Sequence, residues 1–172
     1  MVFLALLTGG TLTVAGQAGV DPTLLARLKQ LFPTATSFSP KGGEPIHYKA
    51  YANGPGGQQS VIGYAYWTTE IVPLERGYGG PIVMLVGMDT KGLLTGLVIA
   101  EHHEPYGDFS IDRPAFAATF KNKNVRDAFK LGQDIDAVSR ATITMSSAVR
   151  AIRNASRRVA RELVAPPEAP KP

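Results

Sequence analysis

Apolar residues recur at helical spacing near both ends of the chain and at period two through its middle. Leu24, Leu25, Leu28, Leu31 and Phe32 fall on one side of a helix whose other side carries Arg27, Lys29 and Gln30. Asp21 and Pro22 suit its start, Asp as a cap for free N–H groups and Pro at the first helical position, and Pro33 ends it. Residues 34–45 read as a connection. Ile46–Tyr51 and Ser60–Thr69 alternate and are rich in β-branched and aromatic residues, which predicts two strands around the loop Ala52–Gly57. Ile82–Met88 and Leu93–Glu101 are two more, joined by Asp89-Thr-Lys-Gly92, a type I turn signature that makes this pair a hairpin. A short helix is expected over Pro114–Phe120 and another near Val125–Phe129. From Thr144 to Val164, Met145, Ala148, Val149, Ile152, Val159 and Leu163 trace one stripe of a long helix, with Thr144 as its N-cap.

This order predicts an α+β fold: a single domain whose mainly antiparallel sheet of four to six strands is packed by an N-terminal helix and a long C-terminal helix. The strands pair as hairpins and do not alternate with helices, which argues against a dinucleotide-binding sheet. Gly77-Tyr-Gly-Gly80 also lacks that fingerprint's spacing.

Composition changes the picture in three ways. Cysteine is absent, which excludes disulfide scaffolds, thiolate metal sites, iron–sulfur clusters and thiol nucleophiles. The net charge of +4 is confined to residues 145–172, where six Lys/Arg meet two Asp/Glu, while residues 1–144 are balanced. That places the basic excess on one helix face and argues against a nucleic-acid partner. Residues 1–18 hold no charge, and Val2–Leu7 followed by the small-x-small Gly16-Gln-Ala18 reads as an export signal or a short membrane anchor. The expected division is then 1–18 signal or anchor, 19–164 functional domain, and 165–172 a disordered Pro-rich tail.

Two segments carry candidate chemistry. Glu101-His-His-Glu-Pro-Tyr-Gly-Asp108 follows a strand, where a scaffold presents side chains to a cleft. Adjacent histidines there face opposite ways, and only His47 remains elsewhere, so no metal site is assigned. Asp136-Ala-Val-Ser-Arg-Ala-Thr142 precedes the long helix, whose first turn offers unpaired N–H groups and the positive end of a dipole. Thr142, Thr144 or Ser146 with Arg140 could hold a phosphate there, or the hydroxyls could simply cap the helix; the spacing leaves both readings open.

Asp136-x-x-Ser139-Arg140-Ala141-Thr142 resembles the Asp-x-x-Ser/Thr-Gly-Ala-Thr motif of the FMN-binding domain family. Gly77-Tyr-Gly-Gly-Pro-Ile82 leading into Leu85-Val-Gly-Met-Asp89, and Glu101-His-His-Glu-Pro105, resemble the family's glycine loop and strand end in the same order. Members include flavin subunits of the Rnf and sodium-pumping NADH:quinone oxidoreductase complexes and the periplasmic domain of the regulator of nitrous oxide respiration. Ser-Arg-Ala-Thr with His-His-Glu-Pro is most similar to that last branch. The sequence departs from the commonest motif at Arg140, where Gly would permit a left-handed backbone.

The resemblance implies an electron-transfer flavoprotein outside the cytoplasm. FMN would be joined through a phosphoester to Thr142, with Ser139, Arg140, Ala141 and Thr144 around the phosphate. Tyr78, Gly79, Gly80, His103, Glu104 and Thr69, at the end of its predicted strand, would line the ring. No residue is assigned a catalytic role. The implied partners are a flavin transferase for maturation and membrane or periplasmic redox proteins. The implied location is periplasmic or otherwise extracytoplasmic, with any membrane association through the N-terminus. Two rivals are a flavin-dependent reductase with its own small substrate and a non-flavin periplasmic binding module.

Overall fold

The computed structural model describes residues 21–164; the expectations for the N-terminal signal or anchor and for the Pro-rich tail lie outside them. Helix α1 (Pro22–Leu31) starts as its sequence predicts, with the Asp21 carboxylate accepting the Leu24 N–H at 2.9 Å. Among the described residues, five strands follow: β1 (Ser37–Phe38), β2 (Tyr48–Asn53), β3 (Gln59–Trp67), β4 (Val83–Asp89) and β5 (Leu94–Glu101). They form one sheet in chain order, every neighbour antiparallel. The fold is the expected α+β single domain.

Alternation sorts the sheet's two faces. Ala65 and Leu85 point toward α1, where they meet Leu28, Leu31 and Phe32. Gly63, Gly87 and Gly96 leave room on that face: a Cβ at Gly63 would strike the Phe32 ring and the Met88 carbonyl. Tyr66, Met84, Val86, Met88, Leu94 and Leu97 point the other way, into the larger core under α3 (Pro114–Phe120) and α4 (Thr142–Leu163). The helices thus enclose the sheet from both sides, and the central strands are buried on both faces. Fully buried Tyr66 donates to the Ser156 hydroxyl at 2.8 Å and so ties β3 to α4. Burial raises its phenol well above the ordinary value, and the Ser156 bond offsets only part of that.

The β4–β5 hairpin turns as its sequence predicts. Asp89 Oδ1 accepts the N–H groups of Lys91 and Leu93, and Gly92 adopts a left-handed φ of 85°. Three expectations are corrected. Strand β3 ends at Trp67, and Thr68–Ile71 form one helical turn, α2, because the buried Thr68 hydroxyl reaches the carbonyls of Ile82 and Met84. Thr69 is therefore helical. No helix forms over 125–129, since the Asn124 and Asp127 side chains take local backbone N–H groups and fold the segment into a turn. The long helix begins two residues earlier than its pattern suggests, and Thr144 is not its cap.

The basic face of α4 is partly committed to the fold. Arg157 donates to the carbonyls of Val125 and Asp127, and Arg158 to that of Ile71.

Candidate functional site

The residue at the N-cap of α4 is Ala141, whose side chain cannot accept a hydrogen bond. Among the described residues, nothing accepts from the N–H groups of Thr142, Ile143 and Thr144. Met145 N–H is the first to bond back, to the Ala141 carbonyl at 2.9 Å. This end of a 22-residue helix therefore presents three free donors and the positive end of its dipole. Arg140 stands just before it with φ of 71°, the left-handed conformation that Gly would take without strain. The backbone demand of the motif is thus kept although its Gly is not.

Thr142, the first helical residue, is exposed, and so is Ile143 at 62%. Thr144 turns inward, nearly fully buried, and its hydroxyl donates to the Glu104 carboxylate. Glu104 is buried as well, and it also accepts the N–H of Tyr78 at 3.1 Å and of Gly79 at 2.8 Å. Gly77 and Gly79 make that approach feasible: a Cβ on Gly77 would collide with the Glu104 carboxylate, and one on Gly79 with the His103 carbonyl.

His102 anchors the same segment from the other side. Its Nδ1 accepts the Glu104 N–H at 3.1 Å, so the ring proton lies on Nε2, which donates to Asp112 at 2.9 Å. The glycine loop, the 102–104 segment and the start of α4 thereby form one hydrogen-bonded unit.

A cavity of about 380 Å³ opens over this unit, lined by Tyr78, Pro105, Tyr106, Arg140, Ala141, Thr142, Ile143 and Thr144. Five of the residues expected from sequence line it: Tyr78, Arg140, Ala141, Thr142 and Thr144. Gly79 and Glu104 lie against it through their hydrogen bonds. Ser139 is exposed one residue before Arg140. His103 is exposed and meets the loop through its carbonyl, and neither it nor Gly80 is among the lining residues. Thr69 sits in α2, apart from that lining.

Sequence reasoning missed Pro105, Tyr106 and Ile143. Tyr106 lies in a cluster whose ionisable groups draw the eye first, and Ile143 was discernible as a large apolar residue off the buried stripe of α4. Among the described residues the exposed large hydrophobics are Leu74, Tyr78, Tyr106 and Ile143, and three of these four rim this cavity. Tyr64 and Tyr66 pack in the core and Trp67 against the α1 side. Among the described residues no His, Cys, Asp and Glu cluster is arranged to hold a metal.

Residues 77–157 match the sequence model of the FMN-binding domain. They belong to the FMN-binding domain family. The matched span runs from the glycine loop to Arg157 in α4 and includes every residue lining the cavity. The chain is 26% identical over 147 residues to the regulatory protein NosR of Stutzerimonas stutzeri, covering 80% of this chain and 20% of that one. It is 28% identical over 137 residues to a subunit of the ion-translocating oxidoreductase complex of Methanosarcina acetivorans, covering 74% of this chain and 70% of that protein. A 48-residue stretch is 46% identical to the like-named subunit from Haemophilus influenzae, covering 28% of this chain and 21% of that protein. The chain thus spans only about a fifth of NosR.

The residues present fit FMN. Three unpaired N–H groups and a guanidinium suit a phosphate, an exposed hydroxyl stands among them, and tyrosines with an isoleucine offer aromatic and apolar surface to a planar ring. The cavity volume lies in the range of small-molecule sites.

Proposed function

We propose that this protein is an extracytoplasmic electron-transfer flavoprotein that carries FMN covalently through a phosphoester to Thr142. The observation that carries this reading is the open start of α4: an uncapped helix end whose first residue is an exposed threonine, beside a left-handed Arg140. The attachment forms one bond, from the Thr142 Oγ to the flavin phosphate. It breaks the bond from that phosphorus to its leaving group in an activated flavin nucleotide supplied by a transferase, and the hydroxyl proton is released. Relative to free FMN and free protein, the product has lost one water.

Each residue then has a task. The N–H groups of Thr142, Ile143 and Thr144 and the Arg140 guanidinium would hold the remaining phosphate charge, the helix end contributing about 0.3–1 kcal/mol. Tyr78, Tyr106 and Ile143 would offer the ring aromatic and apolar surface. Bound FMN supplies one- and two-electron transfer. Covalent attachment suits a compartment in which a dissociated flavin is lost, and the maturation partner is a flavin transferase. Electrons pass to and from membrane or periplasmic redox proteins; relatives named as subunits of an ion-translocating oxidoreductase complex support a redox partnership. Among the described residues no helix is long and apolar enough to cross a membrane.

The test is a pair of variants produced with a flavin transferase. Thr142→Ala loses all flavin that survives denaturation, whereas Thr119→Ala, an exchange on α3, keeps it. Flavin retained by Thr142→Ala after denaturation overturns the assignment.

A further inference from the structure

We infer that Glu104 is the positioning residue of this site: its buried carboxylate holds the glycine loop to the start of α4 and thereby fixes the surroundings of the flavin. The inference rests on the flavin reading above. Three donors from two distant segments converge on this one side chain: the N–H groups of Tyr78 and Gly79, and the hydroxyl of Thr144. Tyr78 and Thr144 both line the cavity, so Glu104 joins its two walls from behind without lining it. With 7% exposure, it is a buried anion satisfied by the polar groups that shape the cavity.

The glycines give an independent argument. Gly77 and Gly79 leave no room for a Cβ because Glu104 and the His103 carbonyl occupy that space. The loop's backbone donors are thus spent on the protein's own carboxylate. His102 keeps that carboxylate in register by accepting the Glu104 N–H while donating to Asp112. A side chain held this firmly behind the cavity does two things: it sets where Tyr78 stands, and it keeps a carboxylate fixed between the glycine loop and the start of α4.

Glu104→Gln keeps the size, removes the charge and offers one carbonyl oxygen to two N–H donors. In the protein before flavin loading, amide hydrogen exchange at Tyr78 and Gly79 is expected to accelerate about tenfold in this variant. Exchange in the β4–β5 hairpin is expected to stay slow. After loading, the flavin midpoint potential is expected to move to a more positive value, because a nearby negative charge that opposes reduction is gone, and the visible circular dichroism to change.

Unchanged exchange at Tyr78 and Gly79 overturns the tether. Faster exchange with an unaltered potential and spectrum reduces Glu104 to a stability role and overturns the proposal as well. A wild-type chain that takes no flavin removes the functional reading and the flavin clause together, while the exchange data still decide the tether. Should Glu104→Gln fail to fold, Thr144→Val removes only the hydroxyl donor. It is expected to change the flavin's visible circular dichroism, and an unchanged spectrum contradicts the proposal.

Discussion

The Thr144 hydroxyl donates to the Glu104 carboxylate across forty residues of sequence, and both side chains are buried. This bond takes the hydroxyl expected to cap the helix at Thr144 and turns it into a link between the two walls of the cavity. The start of α4 is left open because Ala141, which has no accepting side chain, holds the cap position. An open helix end is a liability in a purely structural element and an asset in an anion site.

Arg140 separates those two values. Its left-handed backbone carries strain of about 1 kcal/mol that Gly would relieve. Arg140→Gly is therefore expected to raise stability by up to about 1 kcal/mol in urea unfolding, while slowing flavin incorporation by the transferase through loss of the cation. Arg140→Ala keeps the strain and loses the cation, so it is expected to slow incorporation with no gain in stability.

Tyr66→Phe removes the donor to Ser156 and leaves that hydroxyl buried without its partner. A loss of about 1–2 kcal/mol is expected in denaturant unfolding, with flavin content unchanged. Adding Ser156→Ala is expected to recover part of it, because the orphaned hydroxyl goes too.

Gly79→Ala tests the loop by sterics alone. The new Cβ meets the His103 carbonyl, which is backbone and cannot swing aside. The variant is expected to lose about 1–3 kcal/mol and to take up less flavin. Ala at Gly132, where a Cβ meets nothing, is expected to leave flavin uptake unchanged, despite some strain from its left-handed φ of 75°.

Asp134 gives the fold a pH dependence of known sign. Desolvation alone would raise its carboxyl, but the Lys130 N–H, the Lys123 ammonium and the Phe129 N–H together hold it below the ordinary carboxylate value of 3.8. The unfolded chain therefore binds this proton more readily than the folded one. The contribution is present in full above the unfolded value and is lost as pH falls through the folded one. Thermal unfolding between about pH 5 and pH 2 is expected to show a smaller acid loss in Asp134→Asn than in the wild type, measured against each protein's own stability at pH 7.

Much of the fold was legible because period two and period 3.6 each mapped onto one buried face. Leu28, Leu31 and Phe32 cover one side of the sheet; Met84, Val86 and Met88 meet α4 on the other. What escaped depends on contacts between distant residues or on side chains competing for the backbone. Thr68 and Thr69 read as strand because they are β-branched, yet the Thr68 hydroxyl finds the carbonyls of Ile82 and Met84, before and within the next strand, and the chain turns. Thr144 carried a cap signature, but its hydroxyl is taken by Glu104. At the site, Thr142, Arg140 and Tyr78 were legible from residue type and motif. The tether through Glu104 was not, because nothing in local spacing shows which N–H groups a carboxylate will meet.

The most direct test of the central claim is the intact mass of the denatured protein after production with a flavin transferase, followed by peptide mapping. The account predicts a mass gain of one FMN less one water, carried by the peptide that contains Thr142. An unmodified mass in colourless protein, or the same gain on a peptide lacking Thr142, contradicts it.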